Sequence, residues 1–314
     1  MQSTVSSQNP ISSWLPYVLL MVPPLCWAGN IVLARGVIHL IPPIGFAFWR
    51  WAIAFLILAP LTWPHVRHDW PTVIGSWKIM VALSMLGVGC FNTLLYIAVH
   101  TTTAINGALI QTTMPAFIIL ITLIAFQESV GFLQMAGVML CILGAALVLL
   151  RGNLATVLNL SFARGDLLML LAVICYGMYT VLLKKRPAMH AMSFLTVTFG
   201  AGAMMLAPLY LWESCFQESV TFTVDVVLSI IYVAVFPSIV AYFCWNRGTE
   251  MIGPNRAGLF INLVPVFASI MAVIWLNESL KLFHIVGMCS IVAGMSMFNR
   301  KPNIQDLTTP GPCE

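Results

Sequence analysis

The sequence predicts an all-α integral membrane protein with ten transmembrane helices, arranged as two inverted five-helix repeats. Composition is the first basis: hydrophobic residues make up 60% of the 314 positions and charged residues only 8%, far below the roughly 25% charged residues of soluble domains. The second basis is a repeat, because "PAFIILITLIAFQESV" at 115–130 returns as "PVFASIMAVIWLNESL" at 265–280.

Ten apolar stretches are each long enough to cross a membrane. A helix of about 20 residues spans the ~30 Å hydrocarbon core of a bilayer. A soluble protein with ten buried helices is the alternative, and it is disfavoured because so few charges remain to cover a surface. The stretches lie at 16–34, 43–63, 79–99, 104–126, 132–150, 166–183, 191–212, 226–246, 254–276 and 282–298.

The remaining segments are short. The head of the chain contains no Lys or Arg before the first apolar stretch, so it lacks the charged region of a cleaved signal peptide, and we expect the first span to be retained. The predicted division is an N-terminal tail at 1–15, a first repeat at 16–150, a linker at 151–165, a second repeat at 166–299 and a C-terminal tail at 300–314.

The distribution of Lys and Arg predicts that both termini are cytoplasmic. With ten spans in that orientation, nine basic residues fall on the cytoplasmic side and four on the other, as the positive-inside rule requires. The net charge of +4 is therefore explained by topology, and no basic face for nucleic acid is predicted. The nine are Arg67, Lys78, Lys184, Lys185, Arg186, Arg247, Arg256, Arg300 and Lys301; the four are Arg35, Arg151, Arg164 and Lys281.

The repeat extends well beyond its most similar segment. Because each half has five spans, an odd number, the second half enters the membrane in the opposite orientation and the repeat is inverted. Inverted repeats are typical of secondary transporters, whose halves exchange shapes around a midplane site; the alternative is a duplication kept only for packing. A shift of 150 aligns Leu109 with Leu259, Pro115 with Pro265, Phe117 with Phe267, Glu128 with Glu278, Gly137 with Gly287 and Gly144 with Gly294, and a shift of 149 aligns "CWAGNIVLAR" at 26–35 with "CYGMYTVLLK" at 175–184.

These segments resemble the drug/metabolite transporter superfamily, specifically proteins with two EamA-like domains. The resemblance covers nearly the whole chain and depends on "CWAGNIVLARG" in the first span, "FAFWRWAIAFLILAPL" in the second, and the paired Pro, Glu-Ser, Gly and Gly positions that end each half. It implies transport of a small metabolite, often an amino acid or a derivative and often outward, through a cavity between the halves. It does not identify the substrate.

Two prolines mark expected bends. A proline inside a helix cannot donate to the carbonyl four residues earlier, so Pro115 frees the carbonyl of Gln111 and Pro265 frees that of Ile261. Within a bilayer a freed carbonyl needs a partner or a wet cavity. We therefore expect bent helices with a polar lining near mid-membrane, or side chains that merely satisfy the bends.

Polar and aromatic side chains within the spans are the candidate substrate-binding residues. Rings with polar tips, together with amides, suit a metabolite pocket. Near helix ends, at Tyr96 and Trp245, such rings are at least as often interfacial anchors. The predicted binding residues are Trp27, Asn30, Asn92, Gln111, Tyr176, Tyr179, Tyr242 and Asn262.

Three charged residues are candidates for gating or structural roles. Arg50 lies about 10 Å from the start of its predicted span, where it either faces a cavity or partner or extends outward to the interface. Glu128 and Glu278 end their spans and are expected to cap the following helix, with a gating contact as the alternative.

No catalytic, cofactor or metal site is predicted. The eight cysteines form no Cys-x-x-Cys and are interpreted as packing residues. His65, His68 and Asp69 are expected in a short juxtamembrane loop, which disfavours a metal or acyltransferase site there.

The predicted function is therefore a secondary exporter of an amino acid or related metabolite, located in a bacterial inner membrane. No Asp or Glu lies in the middle of a predicted span, so the coupling mechanism is left open. The small-molecule substrate and the lipid bilayer are the predicted partners, and a homodimer is left open. The alternatives are a membrane enzyme, or an assembly or receptor protein without transport activity.

Overall fold

The computed structural model is mainly helical in the parts of the chain that it describes. No described residue forms a β-strand, which confirms the all-α class for these residues. Glu278, most of the predicted linker, most of the predicted N-terminal tail and the whole predicted C-terminal tail lie outside the description. The structure describes residues 11–37, 39–102, 107, 110–128, 130–150, 164–276 and 282–299.

The helices follow the apolar stretches of the sequence. A π-helical segment joins two consecutive α-helices at Met85–Cys90 and again at Val235–Val240. Two short 3₁₀ segments occur at Leu183–Lys185 and Leu259–Leu263. The α-helices are α1 (Ile11–Val37), α2 (Pro43–Gly75), α3 (Trp77–Ser84), α4 (Phe91–Val99), α5 (Met114–Phe126), α6 (Phe132–Leu149), α7 (Arg164–Leu182), α8 (Ala191–Phe216), α9 (Val224–Ala234), α10 (Ala241–Ile252), α11 (Pro254–Gly258), α12 (Val264–Leu276) and α13 (Leu282–Asn299).

Several of these helices are suited to a bilayer. Within the described ranges, six helical segments are long and apolar enough to cross a membrane, and two shorter apolar helices accompany them at Ile110–Phe126 and Phe132–Val148. Large apolar side chains such as Leu61, Ile124 and Phe132 are more than 70% exposed. Such exposure is expected for residues that face lipid.

The second helix is longer than predicted. The loop expected around 65–70 is instead part of α2, which continues to Gly75. Val66, Asp69 and Val73 are buried along one face of this extension, and that spacing is the stripe of an amphipathic helix. Tertiary packing of this stripe, including a 4.1 Å approach of the His65 and His190 rings, explains why the segment is helical.

The two predicted bends are interruptions of the helix. Pro115 lies in the first turn of α5, directly after a turn at Thr113, and Pro265 lies in the first turn of α12, after the 3₁₀ segment. A proline is tolerated in a first turn because its missing N–H has no helical partner there. The Ile261 carbonyl freed by Pro265 accepts the N–H of Val264 instead.

Helices α6 and α13 cross closely at glycines. A methyl group added to Gly137 would lie 2.6 Å from the Gly294 carbonyl oxygen, and one added to Gly144 would lie 2.8 Å from that of Gly287. Between these contacts, the Cys141 thiol lies 3.4 Å from the Ile291 carbonyl oxygen. Small residues allow this backbone approach, as in many membrane helix pairs.

Helices α2 and α8 hold each other at both ends through carboxylates. Glu213, near the end of α8, accepts hydrogen bonds from the backbone N–H groups of Ile44 (3.1 Å) and Gly45 (2.6 Å) at the start of α2. Asp69, near the end of α2, accepts one from the N–H of His190 (3.0 Å), directly before α8. Each carboxylate satisfies helix N-terminal N–H groups and complements the helix dipole.

Candidate functional site

A small cavity lies at the centre of the helices. Its volume is about 30 Å³, which is room for about one water molecule. Five of the eight predicted binding residues line it, brought together from α1, α4, α7 and the helical residues 110–112 before α5. The lining residues are Trp27, Asn30, Phe91, Asn92, Leu95, Gln111, Met114, Tyr176, Ile261 and Val264.

Aromatic rings surround this cavity. Tyr176 is 1% exposed and packs edge-on against Trp27, with ring centroids 5.6 Å apart. Its hydroxyl has no hydrogen-bond partner among the described residues. Trp27 also contacts Trp245 at 5.3 Å, so one wall of the cavity is aromatic with polar tips available.

Arg50 is buried beside the cavity and does not extend to the interface. It is 1% exposed, and its guanidinium makes four hydrogen bonds, all to neutral groups. No ion pair found among the described residues involves Arg50. The partners are the Ser238 hydroxyl (2.6 Å), the Asn92 amide oxygen (2.9 Å), the Tyr96 hydroxyl (2.9 Å) and the Pro237 carbonyl (3.0 Å).

The π-helical segment at Val235–Val240 supplies two of these partners because it contains a proline. Pro237 has no N–H, and the Ser238 hydroxyl donates to the carbonyl of Val233 at 2.7 Å. The same hydroxyl accepts from Arg50 Nε. The Pro237 carbonyl also accepts from Trp27 Nε1 at 3.2 Å, so this irregular turn holds both Arg50 and Trp27.

The other π-helical segment, Met85–Cys90, makes a related contact. Its Gly87 carbonyl accepts a short hydrogen bond from the hydroxyl of Tyr242. The Asn92 amide nitrogen donates to the same hydroxyl oxygen at 3.4 Å. Tyr242 is thus held at the centre, next to a lining residue, although it does not itself line the cavity.

Two other predicted binding residues lie away from the cavity lining. The Tyr179 hydroxyl donates to the Asn246 amide oxygen at 2.7 Å, one helical turn beyond Tyr176. Asn262 is fully buried in the 3₁₀ segment before α12, and neither of its side-chain polar atoms has a partner in the described structure.

The polar network includes residues that sequence reasoning missed or undervalued. Tyr96 and Trp245 are 3% and 0% exposed, so neither is an interfacial anchor. Pro237 and Ser238 were not predicted, since nothing in "VFPSIV" distinguishes a π-helical turn from an ordinary one. The available signal was position, because Pro237 aligns with Gly87 at the repeat shift of 150.

A larger cavity of about 1030 Å³ opens near the end of α7; we term it the vestibule. Lys184, Arg186 and Arg247 contribute positive charge to its lining, with Glu250 bonded to Arg247 at 2.9 Å. Glu250 also lies 3.8 Å from Arg186, and Lys184 is paired with Glu128, so these three basic residues face two carboxylates and leave a small excess of positive charge. Its lining comprises Leu183, Lys184, Arg186 to Met192, Phe243, Arg247, Thr249, Glu250 and Gly253.

Glu128 contacts this rim and is not the expected helix cap. Its carboxylate lies 2.6 Å from Lys184 Nζ, and its side chain is 51% exposed. The start of α6 is held by Gln134, whose side chain accepts from the Gly131 N–H at 2.8 Å. The observed ion pair joins the segment before α6 to the segment after α7, as a gating contact would.

The apolar helices, the buried polar centre and the basic vestibule describe a multi-pass membrane protein. A model of the EamA-like transporter family matches residues 14–150 and again residues 163–300. The chain belongs to the EamA-like transporter family, within the drug/metabolite transporter superfamily.

Its relatives include proteins named as transporters. The chain is 26% identical over 283 residues to the "Uncharacterized transporter YyaM" of Bacillus subtilis, covering 89% of this chain and 92% of that protein. It is 27% identical to an "Uncharacterized transporter" of Archaeoglobus fulgidus, covering 91% and 97%. It is 24% identical to the "Probable terminal-alkyne amino-acid exporter" of Streptantibioticus cattleyicolor, covering 74% and 77%. A family and relatives of this kind indicate a transporter rather than an enzyme.

A solved crystal structure has a similar fold. It superimposes with a TM-score of 0.71 at 17% sequence identity, covering 92% of this chain and 96% of the other. The similarity concerns the fold alone.

Proposed function

We propose that the protein is a secondary transporter that exports a small metabolite, an amino acid or a related compound, by alternating access between two inverted five-helix repeats. The observation that carries the proposal is that equivalent positions of the two halves meet at the centre. Trp27 packs on Tyr176, which aligns with it at a shift of 149, and Asn92 contacts Tyr242, which aligns with it at 150.

Contacts between helices α6 and α13 support the same relation. A two-fold axis brings a residue on the axis to its own counterpart and duplicates every other contact. Cys141 meets Ile291, its counterpart at 150, and the Gly137–Gly294 contact is duplicated by Gly144–Gly287. These pairs favour ten spans in two repeats, at 16–150 and 166–299, joined by a linker at 151–165 and flanked by tails at 1–15 and 300–314.

The cavities support alternating access. A volume of about 30 Å³ is too small for an amino acid, so the centre is closed and a solute enters only after the helices rearrange. The vestibule is the entrance. The Tyr179–Asn246 hydrogen bond closes the path between them, because Tyr179 lies about one turn from Tyr176 and one turn from Leu183 at the vestibule.

The side on which the vestibule opens is assigned from charge. The vestibule residues Lys184, Arg186 and Arg247 belong to the basic side of the predicted topology, which we assign to the cytoplasm together with both termini. Entry from this side corresponds to export through a bacterial inner membrane. The name of the Streptantibioticus cattleyicolor relative supports an amino-acid substrate.

The test is flux across a sealed membrane. Purified protein is reconstituted in lipid vesicles loaded with the protein amino acids, and the external medium is analysed by mass spectrometry. We expect release of one or a few amino acids, chemically unchanged, above the rate of protein-free vesicles.

Two variants make this assay specific. Asn92→Ala removes an amide from the cavity lining and should slow release about tenfold. The reason is that a buried hydrogen bond between this amide and a charged group of the solute would be lost. Asn299→Ala changes the same residue type at the end of α13, outside the cavity, and should release at the original rate. Release equal to that of protein-free vesicles, or a covalently altered solute, would contradict transport.

A further inference from the structure

The starting observation is that Arg50 is a charged group that can only donate hydrogen bonds. A guanidinium carries five N–H donors and no acceptor, so each group bonded to Arg50 must present an oxygen. Four of the five donors are used within the described structure. Arg50 therefore fixes the direction of every hydrogen bond that continues from it.

The first branch reaches the cavity through Asn92. The Asn92 amide oxygen accepts from Arg50 Nη1 at 2.9 Å, so its NH₂ group faces the other way, and the usual ambiguity between amide oxygen and nitrogen is removed. One N–H makes the long 3.4 Å contact with Tyr242. The second has no protein acceptor among the described residues. Since Asn92 lines the cavity, it contributes a donor to the lining.

The second branch runs through Tyr96 to Asn30. The Tyr96 hydroxyl accepts from Arg50 Nη1 at 2.9 Å and so donates its own proton onward, to the Asn30 amide oxygen at 3.4 Å. This leaves the Asn30 NH₂ without a protein acceptor in the described structure. Asn30 also lines the cavity, so a second donor is set by the same guanidinium.

The remaining polar lining groups are compatible with this polarity. Tyr176 carries a buried hydroxyl without a partner, which is free to donate. Gln111 does not bond to Arg50, and its amide nitrogen lies 3.8 Å from the Met169 sulfur, which leaves its oxygen to accept an N–H group. Among the described residues, none that lines the cavity is acidic.

We infer that the central cavity is a carboxylate site whose donor polarity is imposed by Arg50, a positioning residue that acts through Asn92 and through Tyr96 and Asn30. An acceptor-only anionic group satisfies both amide donors and lies near an otherwise uncompensated positive charge. This inference rests on the proposed transport function and extends it to the substrate class, a solute with a carboxylate. The basic vestibule favours entry of the same class.

The test compares amino acids with their primary amides. The pair differs by replacement of the carboxylate, while the side chain and ammonium group are unchanged. Vesicles containing the purified protein are loaded with equal concentrations of both sets at mildly acidic pH, where the amides stay protonated, and protein-free vesicles correct for leakage. We expect the transported amino acid to leave at least about tenfold faster than its amide, because charge-assisted hydrogen bonds are lost.

The decisive variant is Asn92→Asp. Aspartate has the size of asparagine, and its carboxylate still accepts from Arg50, so folding should be retained. It replaces the cavity donor with an acceptor and neutralises the guanidinium. We expect the preference to reverse, with the amide leaving faster than the acid, a change of sign that loss of structure alone would not produce. Asn299→Asp is the matched control and should keep the original preference.

Each outcome decides the question. Equal rates for acid and amide in the unmodified protein, or an unchanged preference in Asn92→Asp, would overturn the carboxylate site while transport stands. Release of neither set would overturn the proposed function, and this inference with it. Should Asn92→Asp not fold, Asn30→Asp tests the second branch in the same way and decides the result.

Discussion

At the scale of single residues, the polar centre is organised by one group that can only donate hydrogen bonds and another that can only accept them. Arg50 cannot accept and Pro237 cannot donate. The guanidinium is costly to bury, by about 2.5–3.5 kcal/mol at the centre of a membrane helix on insertion scales. Four hydrogen bonds and a contact of its Cζ atom with the Trp51 ring at 4.8 Å offset this cost.

Asn262 gives a prediction at this scale. Its amide is fully buried with no partner for either polar atom in the described structure, an arrangement that costs about 1–3 kcal/mol. Asn262→Leu is similar in size and removes the unpaired amide, so it should raise the melting temperature of the purified protein. We also expect slower solute release from vesicles. A destabilising amide is usually retained for function, and we expect that Asn262 makes its hydrogen bonds in another conformation of the transport cycle.

The two measurements separate the explanations. A higher melting temperature with unchanged release would show that the amide is a packing defect. An unchanged or lower melting temperature would contradict the expectation that the unpaired amide is destabilising. Leu263, the apolar neighbour in the same 3₁₀ segment, provides the control: Leu263→Met should alter neither quantity appreciably.

At the scale of helices, the interruptions of regular α-helix lie next to the polar groups around the central cavity. The sequence predicts the positions of Pro115 and Pro265, but it does not predict that each begins a new helix after a turn or a 3₁₀ segment. The π-helical segments are less predictable still. Ser238 supplies both the replacement bond to Val233 and the acceptor for Arg50, so that turn depends on a partner distant in sequence.

Composition is sufficient to predict the helical membrane class, and polar and aromatic residues on spans related by the repeat predict five of the residues that line the cavity. Trp27, Asn92 and Tyr176 were grouped because the repeat relates their spans, and they lie together. The extension of α2 through Asp69 could not be predicted in this way. Polar and aromatic residues at 64–71 suggest a loop locally, and the helix is stabilised by packing against the start of α8.

The crossing of α6 and α13 gives a prediction at the scale of helices. Gly144→Ala would place a methyl group 2.8 Å from the carbonyl oxygen of Gly287 and 3.1 Å from the backbone nitrogen of Ile291, and backbone cannot move aside as a side chain can. We expect the free energy of unfolding to fall by about 1–3 kcal/mol, measured by thermal unfolding in detergent.

Gly75 provides the matched control. It ends α2 with no atom within 4 Å of an added methyl group, so Gly75→Ala should leave stability unchanged or raise it slightly. Equal stability of the Gly144→Ala and Gly75→Ala variants would show that the two helices are not in the close contact described.

At the scale of the whole molecule, the distribution of charge gives a prediction of topology. Nine basic residues against four predict that both termini lie on the cytoplasmic side. Reporter domains fused to either terminus should therefore both report cytoplasm, and a reporter inserted after Asn153 should report the opposite side. A reporter after Asn153 on the same side as the termini would exclude the inverted repeat and the exchange of shapes built on it.

Aligned positions of the two halves carry different residue types where they are in contact at the centre, and this difference bears on how a solute is oriented. If the two halves are related as proposed, identical residues on the axis would create a pocket whose two ends are chemically the same, and a solute could lie in it head first or tail first. With Trp27 opposite Tyr176 in the lining, and Asn92 in the lining opposite Tyr242 behind it, such a pocket would have a distinct head and tail. Divergence between the proposed repeats would thus allow the protein to distinguish one end of a molecule from the other.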